Sequence, residues 1–358
     1  MQKTHSSHVT LRDVARLAGV STKTVSRVVN EQGEISESTR QRVQAAVERL
    51  SYQPNILARS LVNRRSDTLA VVAWGIDYYG PSRTVVGVEQ QASELGYSLF
   101  LSLLSKPNDT NVNPILSALA ARRVDGIVWA VPEVGENRAW IEPDRLKRLP
   151  PTIFLSMQPQ PGLSVIAVDN RAGAVQATQH LIDQGRRRIG VITGPLAWWE
   201  ARERYAGWKE TLARAGLTTA PSLVVEGDWS ALSGEQCMRK LLAQQPDIDA
   251  VFAGNDQMAL GALGVAHQSG RQIPQDLAIV GFDCTPESAH YWPPLTTVNQ
   301  HLVDVGRVAV QTLHKFIEAR RKGEDDFEHT ATMLAPELMI RQSSMLTWQS
   351  SLEVVAVP

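Results

Sequence analysis

The sequence predicts an α/β protein with an all-helical start. A three-helix N-terminal domain of helix-turn-helix type and a linker precede a core of two doubly wound parallel-sheet lobes. Three observations predict this. Residues 10–50 carry apolar side chains at helical spacing. From residue 69 onward, near-continuous apolar runs alternate with helical stretches, as in parallel sheets covered on both faces. Nine or more such runs over ~270 residues exceed one comfortable sheet, so the core divides into two lobes.

The first element is TLRDVARLAGVSTKTVSRVVN, residues 10–30. Leu11, Val14, Ala15 and Ala18 fall on one helical face. Thr10 and Asp13 form a capping-box pattern ahead of it. Gly19 supplies the positive φ that ends a helix. Ser21 caps a second helix that buries Val25, Val28 and Val29 and turns Thr22, Lys23, Ser26 and Arg27 outward. Asn30 and Gly33 stop it, and a third helix follows with Ser36 as cap and Val43, Ala46, Val47 and Leu50 as its stripe. Two short helices around a glycine turn, the second opening with small and basic side chains, are the layout that places a helix in the DNA major groove.

Charge supports that placement. The 358-residue chain has a net charge of −1, yet residues 1–65 hold 11 Lys/Arg against 5 Asp/Glu, and the remainder holds 25 against 32. A basic end on an acidic body is expected when only one end meets phosphate. Hydrophobic content of 43% and charged content of 20% fit a globular chain rather than a disordered or membrane one. Cys237 and Cys284 are too few and too far apart for a disulfide framework or metal spacing, which points to a reducing compartment. With neither an apolar leader nor an 18-residue apolar window, a cytoplasmic, nucleoid-associated location without membrane contact is expected.

The linker reads SYQPNILARSLVNRRSDT, residues 51–68. Pro54 ends what precedes it, and Asn55 caps the short stretch ILARSL. A helix so short needs a partner to persist. On composition alone a flexible basic linker is favoured over a helix that forms on DNA and wedges leucine into the minor groove.

In the core, strands are expected at 69–74, 98–104, 126–131, 152–157, 165–169, 188–194, 223–228, 250–256 and 277–283. Helices are expected at 84–95, 111–122, 171–184, 201–215, 232–244 and 257–268. Ligands bind at the carboxyl ends of parallel strands. Those ends carry Trp74, Ser156, Asp228 with Trp229, Asn255 with Asp256, and Asp283. The loop GPLAWWEARER adds Trp198, Trp199, Glu200, Arg202 and Arg204. Aromatic faces with carboxylate, amide and guanidinium groups suit a polyhydroxylated ligand, although Asp256 alone could serve simply as a helix cap. The chain has no dinucleotide fingerprint, P-loop, H-E-x-x-H or G-x-S-x-G, and its eight histidines are scattered. No catalytic residue, metal ligand or cofactor is therefore assigned, and the protein is not expected to be an enzyme.

The ordered segments TLRDVARLAGVSTKTVSRVVN, SYQPN-ILARSL, GDWSALSG, NDQMALGA, LAIVGFD and PPLTTV resemble the LacI family of bacterial transcription repressors over nearly the whole chain. The resemblance implies a periplasmic-binding-protein-like core crossed three times by the chain. It divides the chain into 1–53 (DNA-binding), 54–65 (hinge), 66–342 (core) and 343–358 (tail). Lobe 1 would be about 66–165 and 299–328, and lobe 2 about 166–298 and 329–342. It also implies roles. Thr22, Lys23 and Arg27 read base edges, with Arg27 suited to guanine. Thr10, Ser21, Thr24, Ser26 and Asn30 meet phosphate or backbone. Asn55, Ala58 and Leu61 belong to the minor-groove hinge helix, which settles the linker as functional. Pro81, Arg204, Trp229, Asn255, Asp283 and Gln300 match effector-binding positions.

Departures from the family pattern also matter. Ser156 stands where a well-known sugar-responsive member has aspartate, and Trp198 and Glu200 stand where it has small serines. All three join the effector set, and a carboxylate lost on one side is regained on the other. The tail RQSSMLTWQSSLEVVAVP lacks a leucine heptad, so a homodimer is expected rather than a tetramer. The expected function is repression of sugar-utilisation genes from a pseudo-palindromic double-stranded operator, controlled by a mono- or disaccharide held between the lobes. The alternatives are the same regulator with a purine or sugar-phosphate effector, and a sugar-binding receptor without DNA function, which would have no use for residues 10–65.

Overall fold

A computed structural model describes residues 9–29, 33–52, 65–324 and 328–345. These fall into two compact units that divide after Ser66. Asn30, Asn55, Ala58 and Leu61, most of the hinge, and the tail from 346 lie outside the described residues.

The first unit is α1 (Leu11–Ala18), α2 (Thr22–Val29) and α3 (Glu37–Arg49). The N–H of Thr10 donates to Asp13 Oδ2 at 3.0 Å, so the acidic side chain satisfies an orphan donor at the start of α1. Gly19 closes α1 at φ 64°, a conformation in which a Cβ would be strained. Val14, Ala15, Ala18, Val25, Val28, Val43, Ala46 and Tyr52 form one small core. Ser36 does stand at the start of α3, but its hydroxyl bonds Thr39 Oγ1 at 2.9 Å instead of a backbone N–H.

The second unit begins with β1 (Thr68–Ala73), α4 (Tyr79–Glu94), β2 (Ser98–Leu103), α5 (Asn113–Arg122), β3 (Gly126–Ala130), α6 (Pro143–Leu146), β4 (Thr152–Leu155) and β5 (Val165–Val168). The chain then crosses into α7 (Asn170–Asp183), β6 (Ile189–Thr193), α8 (Trp199–Arg214), β7 (Val224–Glu226), α9 (Ala231–Gln244), β8 (Ala250–Ala253), α10 (Asp256–Gln268), β9 (Ala278–Asp283) and β10 (Thr296–Asn299). It returns as α11 (Leu302–Arg321) and β11 (Ala331–Leu334) and ends in β12 (Glu337–Met339). Two six-stranded sheets result, ordered β11-β5-β4-β3-β1-β2 and β12-β10-β9-β8-β6-β7. Every pairing is parallel except that of β12 with β10.

Two boundaries shift. The sequence reading starts lobe 2 near 166 and returns to it at 329. Instead β5 pairs with β4 through Phe154↔Val165 and Leu155↔Ile166, so lobe 1 runs through Val168. Likewise β11 pairs with β5 in the first sheet, and the last crossing falls between Leu334 and Glu337. Pro336 separates β11 from β12 there, so the stretch 329–342 contributes strands to both sheets rather than to lobe 2 alone. Periodicity also passed over α11, whose apolar stripe (Val305, Ala309, Val310, Leu313, Ile317) is interrupted by polar side chains.

α11 reaches lobe 1 by crossing α4 at backbone contact. A Cβ on Gly87 would sit 2.0 Å from the Val303 carbonyl oxygen, and one on Gly306 would sit 2.2 Å from that of Thr84. Only glycine at both positions lets the returning helix lie close enough to bring Leu302 and Val305 to the mouth between the sheets. The carboxyl ends of both sheets meet at that mouth.

Candidate functional site

A cavity of about 260 Å³ lies between the two lobes. Pro81 enters from the first turn of α4 and Ser156 follows β4. Trp198, Glu200 and Arg204 come from the start of α8, Trp229 and Asn255 follow β7 and β8, Asp283 ends β9, and Gln300 follows β10. The structure thus gathers all nine sequence-selected residues around one space. It adds Tyr78, Tyr79, Asn170 and Gln257, which the sequence reading missed. Asn170 had a visible signal, since it directly follows the strand-end aspartate of VIAVD.

Arg204 organises the floor. Its Nε donates to Asn170 Oδ1 at 2.8 Å, one terminal nitrogen to the Gly254 carbonyl at 2.5 Å, and the other to Gln300 Oε1 at 3.3 Å. Asp283 Oδ1 lies 3.7 Å from the same guanidinium and accepts from Gln300 Nε2. The guanidinium also covers the Phe282 ring, 3.8 Å from its centroid. Three of the five N–H donors of an arginine are thus used internally, and the others face Asp283 and the cavity. Asn255 caps α10 by accepting from Met258 N–H at 2.9 Å and donates to the Trp229 carbonyl at 2.9 Å. Asp256, which sequence alone left as a possible cap, is instead fully buried and accepts from Thr285 and Thr297.

The walls are aromatic. Trp198 stands edge-on to Trp74 (5.5 Å, 62°) and to Trp229 (5.8 Å, 73°), forming a corner of rings. Gly194 makes room, since a Cβ there would lie 2.1 Å from the Trp229 ring. Ser156, Trp229 and Asp283 hold φ of 52°, 75° and 115°, conformations unusual for residues with a Cβ. Strain of this kind concentrates at ligand sites.

Burial pushes the Asp283 carboxyl up to about 7 although Arg204 opposes it. It pushes Glu200 to about 7 as well, against its own backbone N–H, Arg204, Ser156 and Arg138. Glu200 Oε2 is sealed from solvent with no hydrogen-bond partner. Because the folded-state value of Glu200 lies above the ordinary 4.5, its contribution to stability is complete below about 4.5 and is lost as pH rises through about 7. Glu200→Gln should therefore leave the melting temperature nearly unchanged at pH 4 and raise it at pH 8. Thermal melts at the two pH values check this, and an equal shift at both would show that Glu200 is not the titrating group.

In the first unit, Thr22, Lys23 and Arg27 are exposed on α2 while Val25 and Val28 are buried behind them. The Ser21 hydroxyl accepts the Thr24 N–H at 3.1 Å and lies 2.8 Å from Thr24 Oγ1, so this pair fixes the start of the helix. The Thr10 hydroxyl donates to Asp13 at 2.6 Å, and Ser26 is half-buried beside Arg27. Among the described residues no His/Cys/Asp/Glu cluster is arranged to hold a metal, and no helix is long and apolar enough to cross a membrane.

Comparison with known proteins covers both units. Residues 10–55 match the family described as bacterial regulatory proteins, lacI family, and residues 178–344 match the periplasmic binding protein-like domain. The chain is 36% identical to the ribose operon repressor of Escherichia coli K12, across 94% of this chain and 99% of that one. It is 34% identical to the HTH-type transcriptional repressor PurR of Haemophilus influenzae, across 93% and 98%. Among solved structures it is similar to a lac repressor dimer bound to operator and the anti-inducer ONPF (TM-score 0.84, 32% identity, 94% and 99% covered). It is also similar to the transcriptional regulator CelR in complex with cellobiose (TM-score 0.69, 34% identity, 94% and 99% covered).

Proposed function

This chain belongs to the LacI family of bacterial regulatory proteins, and we propose that it represses sugar-utilisation genes under the control of a neutral mono- or disaccharide held between its lobes. As a family member it is a homodimeric DNA-binding transcriptional repressor that responds to a small-molecule effector. Two copies present two α2 helices to two half-sites.

Charge carries the choice of ligand. The cavity is lined by the carboxylates Asp77, Glu200 and Asp283 against Arg204 alone, whose donors are mostly spent on the protein. A phosphate finds no cation free to pair with it among these residues, whereas sugar hydroxyls can donate to or accept from the carboxyl groups of the lining. The tryptophans stand at 62° and 73° to one another, a corner for the apolar face of a sugar rather than a parallel slot for a flat purine. The volume, about 260 Å³, is at the small end for ligand pockets, which suits one or two sugar rings.

The test is calorimetry of the full chain with glucose, galactose, ribose and cellobiose against glucose 6-phosphate, ribose 5-phosphate and hypoxanthine. It is joined to gel shifts on an operator selected from a random duplex pool. A neutral sugar should bind and change operator affinity by roughly 5- to 150-fold, the usual range of allosteric coupling. Tighter binding of a sugar phosphate or of hypoxanthine would overturn the sugar assignment and leave the regulator class intact.

A further inference from the structure

The two lobes are joined by more than the three crossings of the chain. Glu133, Val134 and Gly135 follow β3 in lobe 1, and Ala197, Trp198 and Trp199 open α8 in lobe 2. Val134 and Trp198 form an antiparallel bridge. Gly135 N–H donates to the Ala197 carbonyl at 3.0 Å, and Trp199 N–H donates to that of Glu133 at 3.0 Å. Beside this bridge Arg202 donates to Glu133 Oε1 at 3.2 Å, while the other Glu133 oxygen accepts from Gln158 N–H at 2.9 Å. Neighbouring tryptophans face opposite ways: Trp198 packs against the core of lobe 2, and Trp199, 4% exposed, is buried within that of lobe 1. The lobe 1 side is braced by Asn137, which accepts from Val134 N–H and donates to the carbonyls of Pro107 and Pro132.

We infer that 133–135 and 197–199 form an interlobe clasp that sets the balance between lobe arrangements, with Glu133 as the residue that positions Trp198 and Glu200 in the effector cavity. A rotation that parts the lobes on this side must break two backbone hydrogen bonds, one ion pair and a buried tryptophan contact together. An element that closes all at once gives two states rather than a continuum. Because the clasp is made in only one of them, loosening it shifts the population even without ligand. The inference rests on the family's two-state switch and is independent of which effector binds.

Two variants test it without knowledge of the effector. Glu133→Gln keeps an acceptor for Gln158 and removes the charge that holds Arg202. Trp199→Leu keeps an apolar plug but shortens it. Hydrogen exchange on the full chain should show faster exchange in 131–138 and 196–202 together, with α10 and β1 unchanged. Affinity for the selected operator should move at least threefold in both variants. A small molecule that weakens operator binding should bind the variants with its affinity moved in the opposite direction to that of the operator, and one that strengthens it in the same direction, as reciprocal linkage requires. Exchange that rises across a whole lobe would reduce the contact to ordinary packing. Unchanged exchange in the two segments, or unchanged operator affinity, would equally overturn the clasp. A failure of every sugar to bind would overturn the carbohydrate assignment alone, since exchange and operator affinity are read without sugar.

Discussion

Arg204→Met is expected to weaken effector binding at least ~10-fold and to destabilise the core by about 3–5 kcal/mol at pH 8. The binding loss follows from the donor that faces the cavity. A charge-assisted hydrogen bond contributes roughly 1.5–3 kcal/mol, and the one donor left to the cavity spans about one to two decades in Kd. The stability loss has a different origin. Asp283 is buried, and Arg204 is the cation that opposes its protonation. Without it the Asp283 carboxyl rises above about 7, so the folded state holds a proton that the unfolded state releases near 4. Stability is then retained at low pH and lost as pH rises. Methionine keeps an apolar stem, so the change removes the charge and its hydrogen bonds with little loss of packing, and the pH dependence separates the two. Thermal melts should show a smaller deficit at pH 5.5 than at pH 8. A deficit equal at both would assign the cost to the lost bonds with Asn170, Gly254 and Gln300 instead.

Much of this cavity was readable in the sequence because parallel α/β sheets present ligands to strand ends. A polar or aromatic residue there is exposed to the cleft by topology, and Ser156, Trp229, Asn255 and Asp283 were found that way. What could not be read is how such residues are divided between ligand and protein. Asn255 and Asp256 are adjacent polar residues at one strand end. One lines the cavity and caps α10, while the other turns inward to Thr285 and Thr297. The difference is one residue of direction, which no pattern encodes. The assignment of β11 failed for a related reason. Its side chains are mostly exposed, so no burial signal marks the sheet it joins, and only pairing with β5 decides it. The clasp was equally invisible, because Trp198 and Trp199 read as one aromatic pair although they serve opposite lobes.

At the other end of the chain, Arg27→Ala is expected to cost operator affinity by roughly 30- to 20,000-fold while leaving sugar affinity unchanged. Arg27 is exposed on α2, backed by the buried pair Val25 and Val28, so its removal leaves no cavity and exposes no core. A bidentate contact to a base contributes about 1–3 kcal/mol, and a homodimer on a pseudo-palindrome makes it twice, giving ~2–6 kcal/mol. The loss should be confined to one base position in each half-site, with discrimination relaxed there and retained elsewhere. Arg27→Lys separates the roles: it keeps the charge and the salt dependence but loses the planar fork, so affinity should fall mainly on the preferred operator. Gel shifts with single-base operator variants at two salt concentrations measure all three. A loss uniform across operator variants, with a shallower salt slope, would place Arg27 on phosphate. It would then leave Thr22 and Lys23 as the exposed α2 side chains that must carry the sequence reading.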